Sequence, residues 1–354
     1  MTQSDDYWVD PTAELCAEIA DGCFDALKQN APASEPDFRY FSLPGISLAV
    51  ETRGCEAGNL LCAAFEHLER PTPAPAGTSL LWRIGDCALI GEFPDFPAPP
   101  RPLHPLGNFN LSDDGALFVE RRRTMVSIYD HKQGVVTTLC RSAQELENDV
   151  IAKPLLRFLL GILQQQDIFI SHAALIGSRG RGLLVTGKGG MGKSTISAAS
   201  LGVGLAFCSD DFVALQRDGD RIIGHSLYAS LLLHPDQLAL HPHLGNCARQ
   251  SRSEVVPKTV VTLRSAFAGQ TVASLIVDAI AVPRISPEPH SELTQMSKAA
   301  ALLALAPTSV FSSPWREVER ARFLMGLGAD LPCFTYNSGS DFARIPDPVR
   351  QRYG

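Results

Sequence analysis

GLLVTGKGGMGKSTISAASLG, residues 182–202, decides how the second half of this chain must fold. Within it Gly187-Lys188-Gly189-Gly190-Met191-Gly192-Lys193-Ser194 satisfies G-x-x-x-x-G-K-[ST]. Glycines let the backbone turn sharply and expose a row of N–H groups to phosphate oxygens. Lys193 supplies a point charge at the β- and γ-phosphates, and the Ser194 hydroxyl is suited to ligate Mg²⁺. A strand must feed such a loop and a helix must leave it, so that the helix N-terminus faces the anion. "GLLVT" before and "STISAASLG" after meet both demands. The run from Gly187 to Thr195 is therefore expected to hold ATP with Mg²⁺, with Lys188 either adding a phosphate contact or solvated.

Outward from the loop, the texture is α/β. "DVIAKPLLRFLLGILQQQ" (149–166) has a wide apolar stripe and reads as one buried helix. "IFISHAALI" follows, then a Gly/Arg turn at 177–182. Strand-like runs then alternate with helices at about 291–305 and 315–327: "LAFCS", "FVALQ", "RIIG", "VASLIVDAIAV" and "PCFTYN". Towards the N-terminus, residues 12–28 place Leu15, Ile19, Phe24 and Leu27 at helical spacing. Short strand-like runs follow, "FRYFSL", "ISLAVE" and "SLLWRI", with more at 116–120 and 133–139. Two Pro-rich stretches, 71–77 and 93–107, must be extended connections or surface loops, since proline fixes φ and removes a donor. The predicted organisation is a smaller α+β domain over 1–150 and an α/β phosphate-loop domain over 151–354. The first of these is the place for substrate recognition by exclusion, because it carries no recognisable chemistry.

Asp210 and Asp211 lie between the apolar runs "LAFC" and "FVAL". Adjacent carboxylates between buried strands are costly unless metal, donors or water compensate them. Successive residues of an extended segment point to opposite sides. One acid is thus free to serve the Mg²⁺ at Ser194 while the other faces an acceptor hydroxyl; a plain strand-end turn is the bland alternative. His172, in "ISHAALI", is either a satisfied core histidine or a group that steers Asp210 and holds it charged.

Together these residues carry a resemblance. His-x₁₄-G-x₄-G-K-S-x₁₅-D-D, embedded in "SHAALI…GLLVTGKGGMGKST…LAFCSDDFVAL", resembles the C-terminal domain of HPr kinase/phosphorylase and its relatives. Those relatives include the kinases that phosphorylate a C-terminal serine of lasso-peptide precursors, which this chain is closer to in character. The resemblance implies a phosphate-loop fold akin to phosphoenolpyruvate carboxykinase. It implies that Gly187, Gly192, Lys193 and Ser194 form the ATP loop. By the same resemblance Asp210 is the catalytic base, Asp211 the metal-side acid and His172 the histidine near that base. The E-[IV]-R-G-L-G signature of the true HPr enzymes is missing; "HSLYASLLLHPDQLALHP" stands in its place, which argues against HPr as the substrate.

The expected reaction is transfer of the ATP γ-phosphoryl group to a serine of a peptide or protein. A small-molecule, carboxykinase-like kinase and a nucleotide-dependent binding module without an acceptor remain as alternatives. Paired acids favour chemistry, because occupancy alone needs one metal-side acid. His234, His241, His243 and Cys247 match no trusted zinc spacing. Lys258 and Arg264 flank a strand-like run, within reach of a phosphate or simply solvated.

The 354 residues suffice for two ordinary domains, and 45% apolar with 19% charged residues reads as globular. A net charge of -7 offers no basic footprint for nucleic acid. The nine cysteines include no C-x-x-C pair and the N-terminus has no basic-then-apolar leader, so a cytoplasmic protein with reduced thiols and no membrane span is expected. Homo-oligomerisation is left open.

Overall fold

The computed structural model describes residues 7–30, 37–52, 55–75, 77–99, 102–104, 107–249, 257–263, 265–309 and 316–354. Arg264 and residue 315, where a helix was expected to begin, lie outside them. The chain divides into two compact units, one running to Leu159, the other made of Leu160–Ser251 and Lys258–Gly354. It is a mixed α/β protein with several sheets.

In the first unit, β1 (Tyr7–Val9) is followed by helix α1 (Ala13–Asn30), then β2 (Asp37–Leu43) and β3 (Ile46–Thr52). Helix α2 (Glu56–Cys62) leads to β4 (Glu69–Arg70) and β5 (Thr78–Asp86). Four more strands follow: β6 (Asn108–Leu111), β7 (Leu117–Arg121), β8 (Met125–Asp130) and β9 (Val135–Cys140). They form one mixed sheet in the order β1-β6-β7-β8-β9-β5-β3-β2-β4. Period-two alternation sorts its faces. Val119, Val126, Ile128 and Leu139 pack under Ala20, Phe24 and Leu27 of α1. Trp82, whose indole N–H donates to Thr138 at 2.9 Å, meets Phe65 edge-on. The expected elements here are present, while β1, β4, β6 and β8 are strands beyond those expected.

The run 149–166, expected as one helix, is two: α3 (Asn148–Ala152) and α4 (Leu156–Gln164). Pro154 has no N–H to bond back and keeps its predecessor out of the helical region. Lys153 accordingly sits at φ -141° and Leu155 at φ +60°.

The second unit opens with β10 (Ile168–Ser171), β11 (Ala173–Ser178) and β12 (Arg181–Thr186). Helix α5 (Lys193–Gly202), β13 (Ala206–Ser209), β14 (Val213–Asp218) and β15 (Arg221–Ser226) follow. A three-stranded sheet combines β16 (Ser230–Leu233), β17 (Ala248–Arg249) and β18 (Thr259–Thr262), with α6 (Pro235–Ala239) between the first two. The chain closes with β19 (Ser274–Ile285), β20 (Glu292–Gln295), α7 (Lys298–Ser309), α8 (Glu317–Asp330), β21 (Cys333–Ser338) and α9 (Asp347–Tyr353). The helix expected over 291–305 is thus corrected: its first residues form β20 against β21. Helix α7 begins only after Ser297, whose hydroxyl accepts the Ala300 N–H at 3.3 Å as a cap.

Hydrogen bonding in the main sheet runs β10-β14-β15-β19-β12-β11-β13. Only His172 separates β10 from β11, and only Asp210, Asp211 and Phe212 separate β13 from β14. The two ends of that order are therefore halves of the same two long strands. Pairing resumes in unbroken register across both interruptions, with Ser171 facing Val213 and Leu175 facing Ser209. By that count His172 stands opposite Phe212. Ala174, Ile176, Leu183 and Val185 pack on Ile196 and Ala199 of α5 and on Val349 and Tyr353 of α9. Alternate residues Ala173, Leu175 and Leu184 pack on Ala301 and Leu305 of α7 and Leu324 and Leu327 of α8. No helix among the described residues is long and apolar enough to cross a membrane.

Candidate functional site

Strand β12 delivers the chain to Gly187, and α5 begins at Lys193, so the glycine-rich segment joins a buried strand to a helix N-terminus. Gly190 and Gly192 adopt φ +82° and +99°, a region that side chains disfavour. A Cβ at either, or at Gly189, would meet nothing within 4 Å, so the loop has open space over its turn. Lys193 is 5% exposed; its ammonium donates to the carbonyls of Gly187 at 2.8 Å and Lys188 at 3.4 Å. Lys188 itself is exposed, and Met191, Ser194 and Thr195 are half-buried. Thr195 accepts from the side-chain amide of Gln237 in α6 at 3.3 Å.

The acidic pair follows β13, which lies beyond β11 from β12 in the sheet. The Phe212 N–H donates to the Asp210 carbonyl at 2.6 Å, and Asp211 between them has φ +58°. This is a γ-turn of the rare positive-φ kind, with strain of order 1–3 kcal/mol. It aims the two carboxylates into different surroundings. Asp210 is 2% exposed, and its Oδ1 accepts from Ser197 at 2.9 Å. Burial, then repulsion from Asp211, pushes its carboxyl up to about 6, opposed by Ser194, Ser197 and Lys193. Ser194 is near enough to lower the acid, yet among the described residues no donor completes a hydrogen bond to Asp210 Oδ2. Asp211 is half-buried, with Oδ1 3.3 Å from His172 Nε2. The His172 ring stacks on Phe212 at 5.2 Å between centroids, 23° from parallel.

The structure brings all the expected site residues into two adjoining groups, with one correction. His172, expected as either a satisfied core histidine or a group steering Asp210, pairs with Asp211. Asp210 is instead the acid beside Lys193, Ser194 and Ser197, so the surroundings anticipated for the two carboxylates are exchanged. The γ-turn is the physical reason, because it breaks the simple alternation of an extended strand. Ser197 carries no motif of its own in the sequence, although it lies one helical turn beyond Lys193 and is buried.

The donor set suits a hard cation. Mg²⁺ binds through one or two carboxylates, hydroxyls, waters and substrate phosphates rather than a full protein cage. The unpartnered, buried Asp210 Oδ2 beside Ser194 is such a ligand atom. Among the described residues, no group of three or more His, Cys, Asp or Glu could hold a metal by itself. His243 Nε2 donates to the Ala198 carbonyl at 3.0 Å, with His241 packed edge-on to its ring. Lys258 stands at the start of β18.

No protein-family model matches the chain. No curated protein matches it either. Among solved structures it is similar to the Hpr(Ser) kinase/phosphatase from Coxiella burnetii, at 14% identity and TM-score 0.29, over 52% of this chain and 95% of that one. A likeness at that score carries no weight.

Proposed function

We propose that the second unit binds ATP at Gly187–Thr195 and transfers its γ-phosphoryl group to a serine hydroxyl of a peptide or protein, as an HPr-kinase-like enzyme. A C-terminal serine such as that of a lasso-peptide precursor is within this class of acceptor. The observation that carries the reading is the meeting of two things: an open glycine turn at a helix N-terminus closed by a buried lysine, and two acids held apart by a γ-turn.

Phosphoryl transfer asks little covalent help from a protein; positioning and charge neutralisation dominate. The loop N–H groups and Lys193 hold the phosphates. Ser194 and Asp210 would hold Mg²⁺, which would supply charge neutralisation for the transferred phosphoryl group. Asp211 is the residue placed to meet the acceptor. As the acceptor oxygen bonds to the γ-phosphorus, the bond to the β,γ-bridging oxygen breaks and ADP leaves. The hydroxyl proton passes to the Asp211 carboxylate, which His172, fixed against Phe212, orients. This assigns the base to Asp211 and the metal side to Asp210, opposite to the family resemblance.

The test is incubation with Mg·ATP and serine-bearing peptides, read by mass spectrometry. Addition of one phosphate to serine supports the reading. Tight Mg·ATP binding without transfer to any peptide or metabolite offered would leave only a nucleotide-dependent binding module.

A further inference from the structure

We propose that Ser197 is a positioning residue of this site: its hydroxyl fixes Oδ1 of Asp210, so that Oδ2 is the oxygen presented to a nucleotide-borne Mg²⁺. The proposal rests on the nucleotide reading above and adds to it the residue that sets the acid's orientation.

Three observations converge on Ser197. It lies four residues beyond Lys193 in α5, on the same face of the helix one turn along. It is fully buried, at 0% exposure, among Ile196, Ala198 and Ala199. Serine in a helix interior has no intrinsic advantage there and commonly bonds back to the carbonyl one turn earlier. Ser197 has that option, with the Lys193 carbonyl 3.2 Å away, but the Asp210 carboxylate is nearer at 2.9 Å. One hydroxyl has one proton to give. An ionised carboxylate at the shorter distance is the stronger acceptor and takes it.

The consequence for Asp210 is an asymmetric carboxylate. Oδ1 is satisfied from the helix, while Oδ2 is buried and, among the described residues, has only Ser194 close by without a completed hydrogen bond. A buried, unpartnered carboxylate oxygen is costly and free to rotate towards any available donor unless its twin is pinned. With Oδ1 tied to α5, and the same helix bearing Lys193 and Ser194 at its first turn, Oδ2 stays registered to the loop. Alanine at 197 would remove the donor to Oδ1 and release that register.

The experiment is calorimetric titration of the full chain with ATP, across a Mg²⁺ series and in EDTA. Wild type is compared with Ser197→Ala, the near-isosteric Ser197→Cys, Ser197→Thr and the Ser197→Ala/Asp210→Asn pair. The expected result is a rise of about tenfold in the Mg²⁺ concentration for half-maximal ATP binding in Ser197→Ala and Ser197→Cys, the scale of one charge-assisted hydrogen bond. Binding in EDTA stays unchanged, Ser197→Thr restores the wild-type curve, and Ser197→Ala adds nothing once Asp210 is Asn. A wild-type Mg²⁺ curve for Ser197→Cys, or equal weakening with and without Mg²⁺, overturns the role of Ser197 while leaving the nucleotide site standing. Failure of the wild-type protein to bind ATP at all overturns the nucleotide reading, and this proposal with it.

Discussion

Asp210 and Asp211 share a peptide bond and little else. One is buried against α5, the other half-exposed beside His172, and substitution should separate their duties. Asp211→Asn keeps the shape and tolerates positive φ. It is expected to lower transfer by at least about a hundredfold, the scale of a lost general base, with Mg·ATP binding unchanged by calorimetry. Asp210→Asn should instead raise the Mg²⁺ requirement of binding itself. Gly192→Ala meets no clash, so its effect must come from the backbone at φ +99°. A destabilisation of about 1–2 kcal/mol in urea, with loss of ATP binding, is expected. Burial, with His243 adding to it, holds His241 down to about 4 from 6.5. The unfolded chain therefore takes up that proton at higher pH than the folded one. The contribution of His241 to stability is whole above about pH 6.5 and falls towards pH 4, by at most about 1.4 kcal/mol per pH unit. Urea midpoints measured over that range should flatten in His241→Leu. At this scale the loop was legible, because all its chemistry sits within eight consecutive residues. The partner of His172 was not, because it depends on a turn formed 39 residues away.

Elements were legible where the local signal stood alone. Helix α1, and the strand and helix flanking the glycine loop, emerge from periodicity and from their Gly/Pro borders. The buried face of α1, however, is Ala13, Cys16, Ala20, Phe24 and Leu27, with Leu15 exposed. Elsewhere one strong signal hid another. The apolar stripe of 149–166 masked the break that Pro154 imposes. The apolar helix after Lys298 drew Glu292–Gln295 into itself, although Ser297 marked its true start. Strands β1, β4, β6 and β8 are short and stand among stronger runs. The β11–β12 hairpin offers a test at this scale. Its turn residues Arg179 and Gly180 both have positive φ, +52° and +75°, as a type I′ turn requires. Asparagine accepts that conformation more readily than arginine. Arg179→Asn, at an exposed site, should therefore stabilise the protein by about 0.5–1 kcal/mol in urea unfolding.

For the whole molecule, the two units offer different expectations. The chemistry-bearing residues named above all lie in the second, so Mg·ATP should slow amide exchange at 187–197 and 210–212 and leave the nine-stranded sheet of the first as it was. At a hundredfold excess over Kd the ligand adds about 2.7 kcal/mol to the unit that binds it. Protection confined to the first unit would contradict the site's placement.

The two bent strands that carry His172 and the acids also set what kinds of length change this chain can absorb. Side chains on a strand swap sides with every residue, so deleting one position within 168–178 or 206–216 would turn the histidine or the carboxylates towards the opposite helical layer. An extra residue at the exposed tip beside Gly180 alters no spacing between the paired positions. Tolerance to insertion should therefore fall off steeply within a few residues of the tip, giving a deletion scan a sharp boundary where no single substitution would reveal one.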